Sequence, residues 1–472
     1  MRNYIILALS ILALSCRAQI AGTWHGTLQV TPTYSLPLVL HITEGTDGYS
    51  ATLDSPEQGA PGIPVDQINY SPESRTLSWQ SRTIGAGYSG QLEGDTIRGD
   101  FSQQGFTTRL DLIRGEYRKS KPKDDLPYRS TELTIPSGEV TLAATLTEPR
   151  EQKSSTAVVL VAGSGPNDRD EKLGPHKPLR DIADHLTRQG IAVLRYDKRG
   201  VGESTGTFGA SMLSDFVADA KSALEYLRGT GRYSRVGLIG HSEGGLITER
   251  IAAESPAEVD FIVLLAAPGT SGVEIITYQN VVMMASLISP ESKEDFAKIT
   301  SETFKDLAYH STTRSEDSTL MRGYFERMLP RVREEQRAAT SAMVFSDRYF
   351  SSMLNATSTP YYKEFLRSDP SSLLPQITCP ILALNGSKDM QVEASGNLSA
   401  IKRLATASSS VTTEEIAGLN HLFLPCSTGL PGEYVHLKPG FSSEALEMMT
   451  EWIKALIPQE KGGAEKRGKE FR

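Results

Sequence analysis

Residues 157–162, 191–195, 236–240, 261–266 and 381–384 are short apolar runs, and segments of helical period lie between several of them. Apolar runs without polar alternation suit strands that are covered on both faces. Residues 179–188 and 214–227 read as amphipathic helices. Around the second, Leu213, Phe216, Val217, Ala220, Ala223, Leu224 and Leu227 recur at helical spacing. Strands that alternate with helices predict a mostly parallel sheet with helices on both faces. An α/β domain is therefore expected over residues 126–458. It opens with a hairpin in which residues 132–135 and 140–146 flank Pro136-Ser137-Gly138-Glu139.

The alternation stops between residues 268 and 374. That stretch is helical in pattern and rich in aromatics, among them Tyr278, Phe296, Phe304, Tyr324, Phe325 and Tyr361. It is too long for an unstructured connection. Its place between two sheet strands predicts an inserted helical lid. The front of the chain differs again. Residues 27–30, 36–42, 49–53, 76–80, 96–101 and 107–113 are short β-rich runs separated by turn chemistry such as Gly45-Thr46-Asp47-Gly48 and Glu93-Gly94-Asp95. Residues 19–118 are expected to form a small all-β meander or barrel. Its opening Gly22-Thr23-Trp24 resembles lipocalin-like modules. A barrel this small is more often filled by its own side chains than by a ligand. Residues 119–125 read as a charged linker and 459–472 as a disordered tail.

Gly240-His241-Ser242-Glu243-Gly244 matches G-x-S-x-G. The motif alone is common in a chain with 40 glycines. Its setting gives it meaning, because an apolar strand ends at it and a helical pattern begins just after it. A serine on a strand-to-helix turn is held strained, with its hydroxyl exposed. Such a hydroxyl needs a base to become a nucleophile. Of the three histidines after Ser242, His310 falls in the helical insertion and His436 past the last sheet loop. His421 follows the strand-like residues 411–416, where the base belongs. The acid must come from the loop after 381–384. Asp389 is the first choice and Glu393 the fallback. His241 reads as a packing residue with its side chain turned elsewhere. The oxyanion donors are expected to be the backbone N–H groups of Glu243 and Ser164, since Pro166 has none to give. Asp168 and Asp170 beside that loop have two readings, contact with substrate or internal salt bridging.

Taken in order, Gly163-Ser164-Gly165-Pro166, the run from Tyr196 to Ser204, Gly240-His241-Ser242-Glu243-Gly244, Asn385-Gly386-Ser387-Lys388-Asp389 and Asn420-His421 resemble bacterial α/β-hydrolase carboxylesterases. The resemblance covers about residues 131–456 and leaves out the β-rich front. It implies the α/β-hydrolase fold, with Ser242, Asp389 and His421 as a catalytic triad. The chain departs from the usual His-Gly oxyanion dipeptide, having Ala162-Gly163. The expected reaction is hydrolysis of a small carboxylic ester through an acyl-enzyme, with no metal and no organic cofactor. A peptidase or amidase using the same triad is the alternative, with Asp168 and Asp170 as an anchor for a free amine. A binding protein on an inactive hydrolase fold is a third reading, which an intact triad argues against.

A net charge of −8 gives no electrostatic reason to expect a nucleic-acid partner. Arg2 precedes an apolar run over residues 4–14, too short to span a bilayer and suited to a signal peptide over residues 1–18. Export is expected, periplasmic or secreted, by cleavage before Gln19 or by lipidation of Cys16. The remaining cysteines, Cys379 and Cys426, read as packing residues. The sequence is silent on oligomeric state.

Overall fold

The computed structural model describes residues 20–456 apart from 32–33, 47, 59, 104, 118–125 and 151–153. The expected signal peptide, Cys16, Gln19, the linker and the tail lie outside the described residues. The chain divides into two compact units, Met1–Asp124 and Asp125–Arg472.

The first unit is a nine-stranded antiparallel sheet. Its strands are β1 (Gly22–Thr31), β2 (Tyr34–Gly45), β3 (Gly48–Ser55), β4 (Ala60–Val65), β5 (Gln67–Ser71), β6 (Thr76–Ser81), β7 (Ala86–Glu93), β8 (Thr96–Gln103) and β9 (Phe106–Arg114). They lie in the order β4-β3-β2-β1-β9-β8-β7-β6-β5, so the two edge strands are sequence neighbours joined through Asp66. Side chains alternate between faces, as period two requires. One face is packed with Trp24, Leu40, Leu53, Leu77, Trp79, Tyr88, Ile97 and Phe101. Tyr88 is buried there because its hydroxyl donates to the carbonyls of Ile97 (3.1 Å) and Leu110 (3.0 Å). Edge strand β4 carries Pro61 and Pro64, and the Pro64 carbonyl accepts from Ser81 Oγ at 2.7 Å.

The second unit is built on an eight-stranded sheet. After β10 (Tyr128–Ser137), β11 (Val140–Pro149) and β12 (Thr156–Val161) come α1 (Pro178–Arg188), β13 (Ala192–Tyr196), α2 (Leu213–Gly229), β14 (Arg235–His241), α3 (Glu243–Glu254) and β15 (Ile262–Leu265). Helices α4 (Gly272–Met283), α5 (Lys293–Tyr309), α6 (Arg314–Met328), α7 (Glu334–Val344), α8 (Asp347–Thr357) and α9 (Pro360–Arg367) follow. The chain then returns to the sheet with β16 (Ile381–Gly386), α10 (Ala394–Leu404), β17 (Val411–Ile416) and α11 (Ser443–Ala455). The order is β10-β11-β13-β12-β14-β15-β16-β17. The pairs β10/β11 and β11/β13 are antiparallel, and the rest are parallel. Strand β12 explains the apolar runs. Val159 and Val161 pack on one side with residues of α2, α3 and α10, while Val158 and Leu160 pack on the other with α1 and α11. The expected α/β-hydrolase arrangement is present.

Helices α4–α9 occupy the interruption and make cores of their own. Phe296, Ile299, Met321, Tyr324, Phe325 and Phe350 form one, and Val273, Ile276, Phe304, Leu307 and Leu366 join α4, α5 and α9. Cys379 is buried in the sheet core and Cys426 is half-buried; both are free. Among the described residues no helix is long and apolar enough to cross a membrane.

Candidate active site

Three loops leave the same edge of the second sheet, after β14, β16 and β17, and each carries one of the sequence-predicted residues. Ser242 takes φ 54° and ψ −121°, the left-handed region that a non-glycine residue rarely adopts. Its N–H donates to the Leu265 carbonyl at 2.8 Å, and α3 starts at the next residue. The turn closes only because Gly244 has no side chain, since a Cβ there would lie 2.1 Å from the carbonyl oxygen of Val161. Strand, serine and helix are thus fixed by the glycine of the motif.

His421 and Asp389 meet. The ring Nδ1 lies 2.8 Å from Asp389 Oδ2, and both side chains are buried. Asp389 Oδ1 accepts the N–H groups of Gln391 (2.8 Å) and Val392 (2.9 Å), which fixes the carboxylate's direction. The His421 loop is locked by Asn420, whose Oδ1 accepts from the N–H groups of Leu422 and Leu424, each at 3.0 Å. Glu393, the fallback acid, instead caps α10 through the N–H groups of Ser395 and Gly396. His310 is exposed at the end of α5 beside Asp306, and His436 closes a short turn over Pro431–His436.

The loop after β12 abuts the serine: a Cβ on Gly163 would lie 3.2 Å from Ser242 Cβ. Gly163 N–H is already used, donating to Glu171 Oε1 at 2.6 Å. Its carbonyl accepts from Lys198 Nζ (2.5 Å) and Asn167 Nδ2 (2.8 Å). The next amide, that of Ser164, and the N–H of Glu243 at the first turn of α3 are the backbone donors that the sequence predicts. A first-turn N–H has no partner within its own helix. The Glu243 side chain turns inward, where its Oε1 takes Lys198 Nζ at 3.0 Å and its Oε2 takes the Tyr361 hydroxyl of α9. A second tyrosine of the insertion, Tyr278 of α4, donates to the Asp389 carbonyl at 3.0 Å. Burial, with the Asp389 charge second, pushes that phenol up to about 12.

One sequence reading needs revision, and one of the two readings of residues 168–170 is selected. His241 does not turn elsewhere: its ring centroid lies 4.9 Å from that of His421, its Nε2 lies 2.8 Å from the His421 carbonyl, and its Nδ1 lies 2.9 Å from Glu171 Oε1. Glu171 itself was invisible in the sequence, because nothing local marks a glutamate eight residues past Gly163 as its partner. The charges at 168–170 are spent internally. Asp168 Oδ1 accepts the N–H groups of Asp170 and Lys172, Asp170 pairs with Arg195 at 3.1 Å, and Arg169 binds Asp197, Glu132 and Glu203. Burial, with the Asp170 charge second, raises the Asp168 carboxyl above its usual range. Among the described residues no group of three or more His, Cys, Asp or Glu is arranged to hold a metal ion.

The profile of the family described as serine aminopeptidase, S33, matches residues 177–425, just over half of the chain. Esterase EstD of Thermotoga maritima is 33% identical over 215 residues, which are 46% of this chain and 49% of that protein, so the chain spans about half the length of this curated relative. Among solved structures, an esterase of Pyrococcus furiosus aligns with TM-score 0.45 and 15% identity over 72% of this chain and 96% of that one. A proline iminopeptidase of Mycobacterium smegmatis aligns with TM-score 0.41 and 15% identity over 69% and 98%. The matched residues 177–425 include Ser242, Asp389 and His421; the chain belongs to the serine aminopeptidase S33 family.

Proposed function

We propose that the protein is a serine esterase that cleaves carboxylic esters through an acyl-enzyme, with Ser242 as nucleophile, His421 as base and Asp389 as the acid that orients it. The observation that carries the reading is the convergence of a strained Ser242 (φ 54°) with a buried His421–Asp389 pair at 2.8 Å, on loops from one sheet edge. Ser242 Oγ attacks the acyl carbonyl as His421 takes its proton, and Asp389 stabilises the imidazolium. The oxyanion is held by the N–H groups of Ser164 and Glu243. His421 then returns the proton to the leaving alcohol, and water releases the acid by the reverse sequence. The likeness to an esterase supports an ester as substrate.

A second reading, an aminopeptidase, is favoured by the description of the family. Such an enzyme must bind a free α-amino group, and the acidic pair offered by the sequence, Asp168 and Asp170, is occupied by backbone amides and Arg195. The ester reading is therefore preferred. Rates on p-nitrophenyl esters of graded chain length, beside aminoacyl and peptidyl nitroanilides, decide between the two. Faster turnover of nitroanilides than of every ester would replace the first reading by the second. Labelling of Ser242 by a fluorophosphonate tests the nucleophile directly.

Helices α4–α9 are read as a lid over this site, and the protein as exported, with mature chain starting at Gln19. Mass spectrometry of the exported form tests the latter, and a lipid on Cys16 would overturn it.

A further inference from the structure

Glu171 sits in the loop after β12 at φ 53°, again left-handed for a residue with a side chain, and it is 6% exposed. Backbone held in that region costs free energy and persists where its surroundings over-determine it. Here the surroundings are two donors on one oxygen: Oε1 lies 2.6 Å from Gly163 N and 2.9 Å from His241 Nδ1. The other ring nitrogen, Nε2, faces the His421 carbonyl at 2.8 Å. Both nitrogens of His241 therefore face oxygens. A carbonyl cannot donate, so Nε2 must carry a proton. The proton between Oε1 and Nδ1 has two places, because a ring protonated only at Nε2 would accept at Nδ1. Oε1 already accepts from the Gly163 amide, which favours the carboxylate, and Oε2 is buried with no hydrogen-bond partner among the described residues. An imidazole is also the stronger base. The second proton belongs on Nδ1.

Resting on the esterase reading above, we infer that Glu171 and His241 form a buried carboxylate–imidazolium pair that positions the oxyanion loop and the catalytic base at the same time. Neither residue touches the substrate; both are positioning residues. Glu171 turns the Gly163 amide away from the reacting carbonyl and leaves Ser164 N–H as the loop's donor. Lys198 pulls on the same glycine from its carbonyl side. His241, through Nε2, holds the main chain of His421, whose side chain is held separately by Asp389. Errors in donor and base would otherwise be independent; the shared pair makes them one.

The charged groups around His241 are Glu171 from the β12 loop, Asp389 from the β16 loop, and the His421 ring from the β17 loop, with Lys198 and Glu243 one step away across Gly163. Burial alone would lower the His241 pKa, but the charge of Glu171 and the bonds to Glu171 and His421 outweigh it and the net direction is upward.

The test uses the full chain. In protein labelled with ¹⁵N-histidine, long-range ¹H–¹⁵N spectra at pH ~7.5, above the ~6.5 of an ordinary histidine, should contain one ring with both nitrogens protonated. That signal should be missing in His241→Gln and revert to a singly protonated ring in Glu171→Gln. In parallel, Glu171→Gln should lower kcat for p-nitrophenyl acetate by on the order of 10², the cost of misplacing reacting groups, with KM little changed. It should weaken a boronic acid, which needs the oxyanion donors, by a similar factor. A neutral His241 in the wild-type spectrum overturns the pair. Wild-type kcat and boronate affinity in a folded Glu171→Gln protein overturn the positioning role. Should that variant fail to fold, the wild-type spectrum still decides. Loss of the esterase reading has a separate signature, wild-type hydrolysis that survives Ser242→Ala.

Discussion

A left-handed backbone at Ser242 stores roughly 1–3 kcal/mol of strain, and a serine on such a strand-to-helix turn has its hydroxyl exposed. Replacing Ser242 by Ala leaves that geometry intact and should leave the thermal midpoint unchanged, while kcat falls by roughly 10⁴–10⁶. His421→Ala should lose a comparable amount, and adding Asp389→Ala to either should cost little more, since the members of a triad act as a unit. A Ser242→Ala enzyme that keeps more than a few per cent of its rate would mean that the nucleophile lies elsewhere. A different residue on the same helix sets a pH dependence of stability. Glu249 of α3 is fully buried, and neither carboxyl oxygen has a hydrogen-bond partner among the described residues. Burial raises its pKa well above 4.5. Between 4.5 and the folded value the native state keeps a proton that the unfolded chain releases, so stability present below 4.5 is lost as pH rises toward the folded value. Urea titrations across that range should give wild type a steeper decline with pH than Glu249→Gln. Identical slopes would show that the carboxyl gains a partner.

At the scale of elements, the insertion is tied to the loop of Asp389 and to Glu243 by its own side chains. Tyr278 and Gln279 of α4 bond the carbonyls of Asp389 and Gln391, and Tyr361 of α9 bonds Glu243. If α4–α9 are a lid, loosening these ties should alter which esters enter more than it alters chemistry. The double variant Tyr278→Phe, Tyr361→Phe is expected to raise KM for long-chain p-nitrophenyl esters several-fold more than for the acetate. Equal changes across chain lengths would argue that the helices only brace the site. The sheet strands of the second unit were legible in the sequence because burial on both faces leaves unbroken runs such as Thr156–Val161. Strands β4, β5 and β7 were not. Ala60–Val65 contains two prolines, Gln67–Ser71 is largely polar, and Ala86–Glu93 alternates around two glycines, so each reads as turn chemistry until a neighbour is present to pair with it. Ser242, Asp389 and His421 could be picked by order along the chain, since each follows a strand. Glu171 and the orientation of His241 could not, because their roles arise from one carboxylate oxygen meeting groups at positions 163 and 241.

The whole molecule has two units with separate cores, one around Trp24, Trp79 and Tyr88 and the other on both faces of the mostly parallel sheet. Units that share no core are expected to unfold independently. Calorimetry should resolve two transitions, and a chain beginning at Asp125 should reproduce one of them; a single transition, lost as a whole on truncation, would contradict this. The margin of a sheet is where copies of a chain join. In β4 the Pro64 carbonyl accepts from Ser81 Oγ of β6 in the same unit, and proline has no N–H to offer there. A second molecule laid along this margin finds that carbonyl already taken and no N–H beside it. Pro64→Val, which supplies an N–H there, should leave folding intact and make light scattering climb with protein concentration; flat scattering would show that the contact with Ser81 closes this margin by itself.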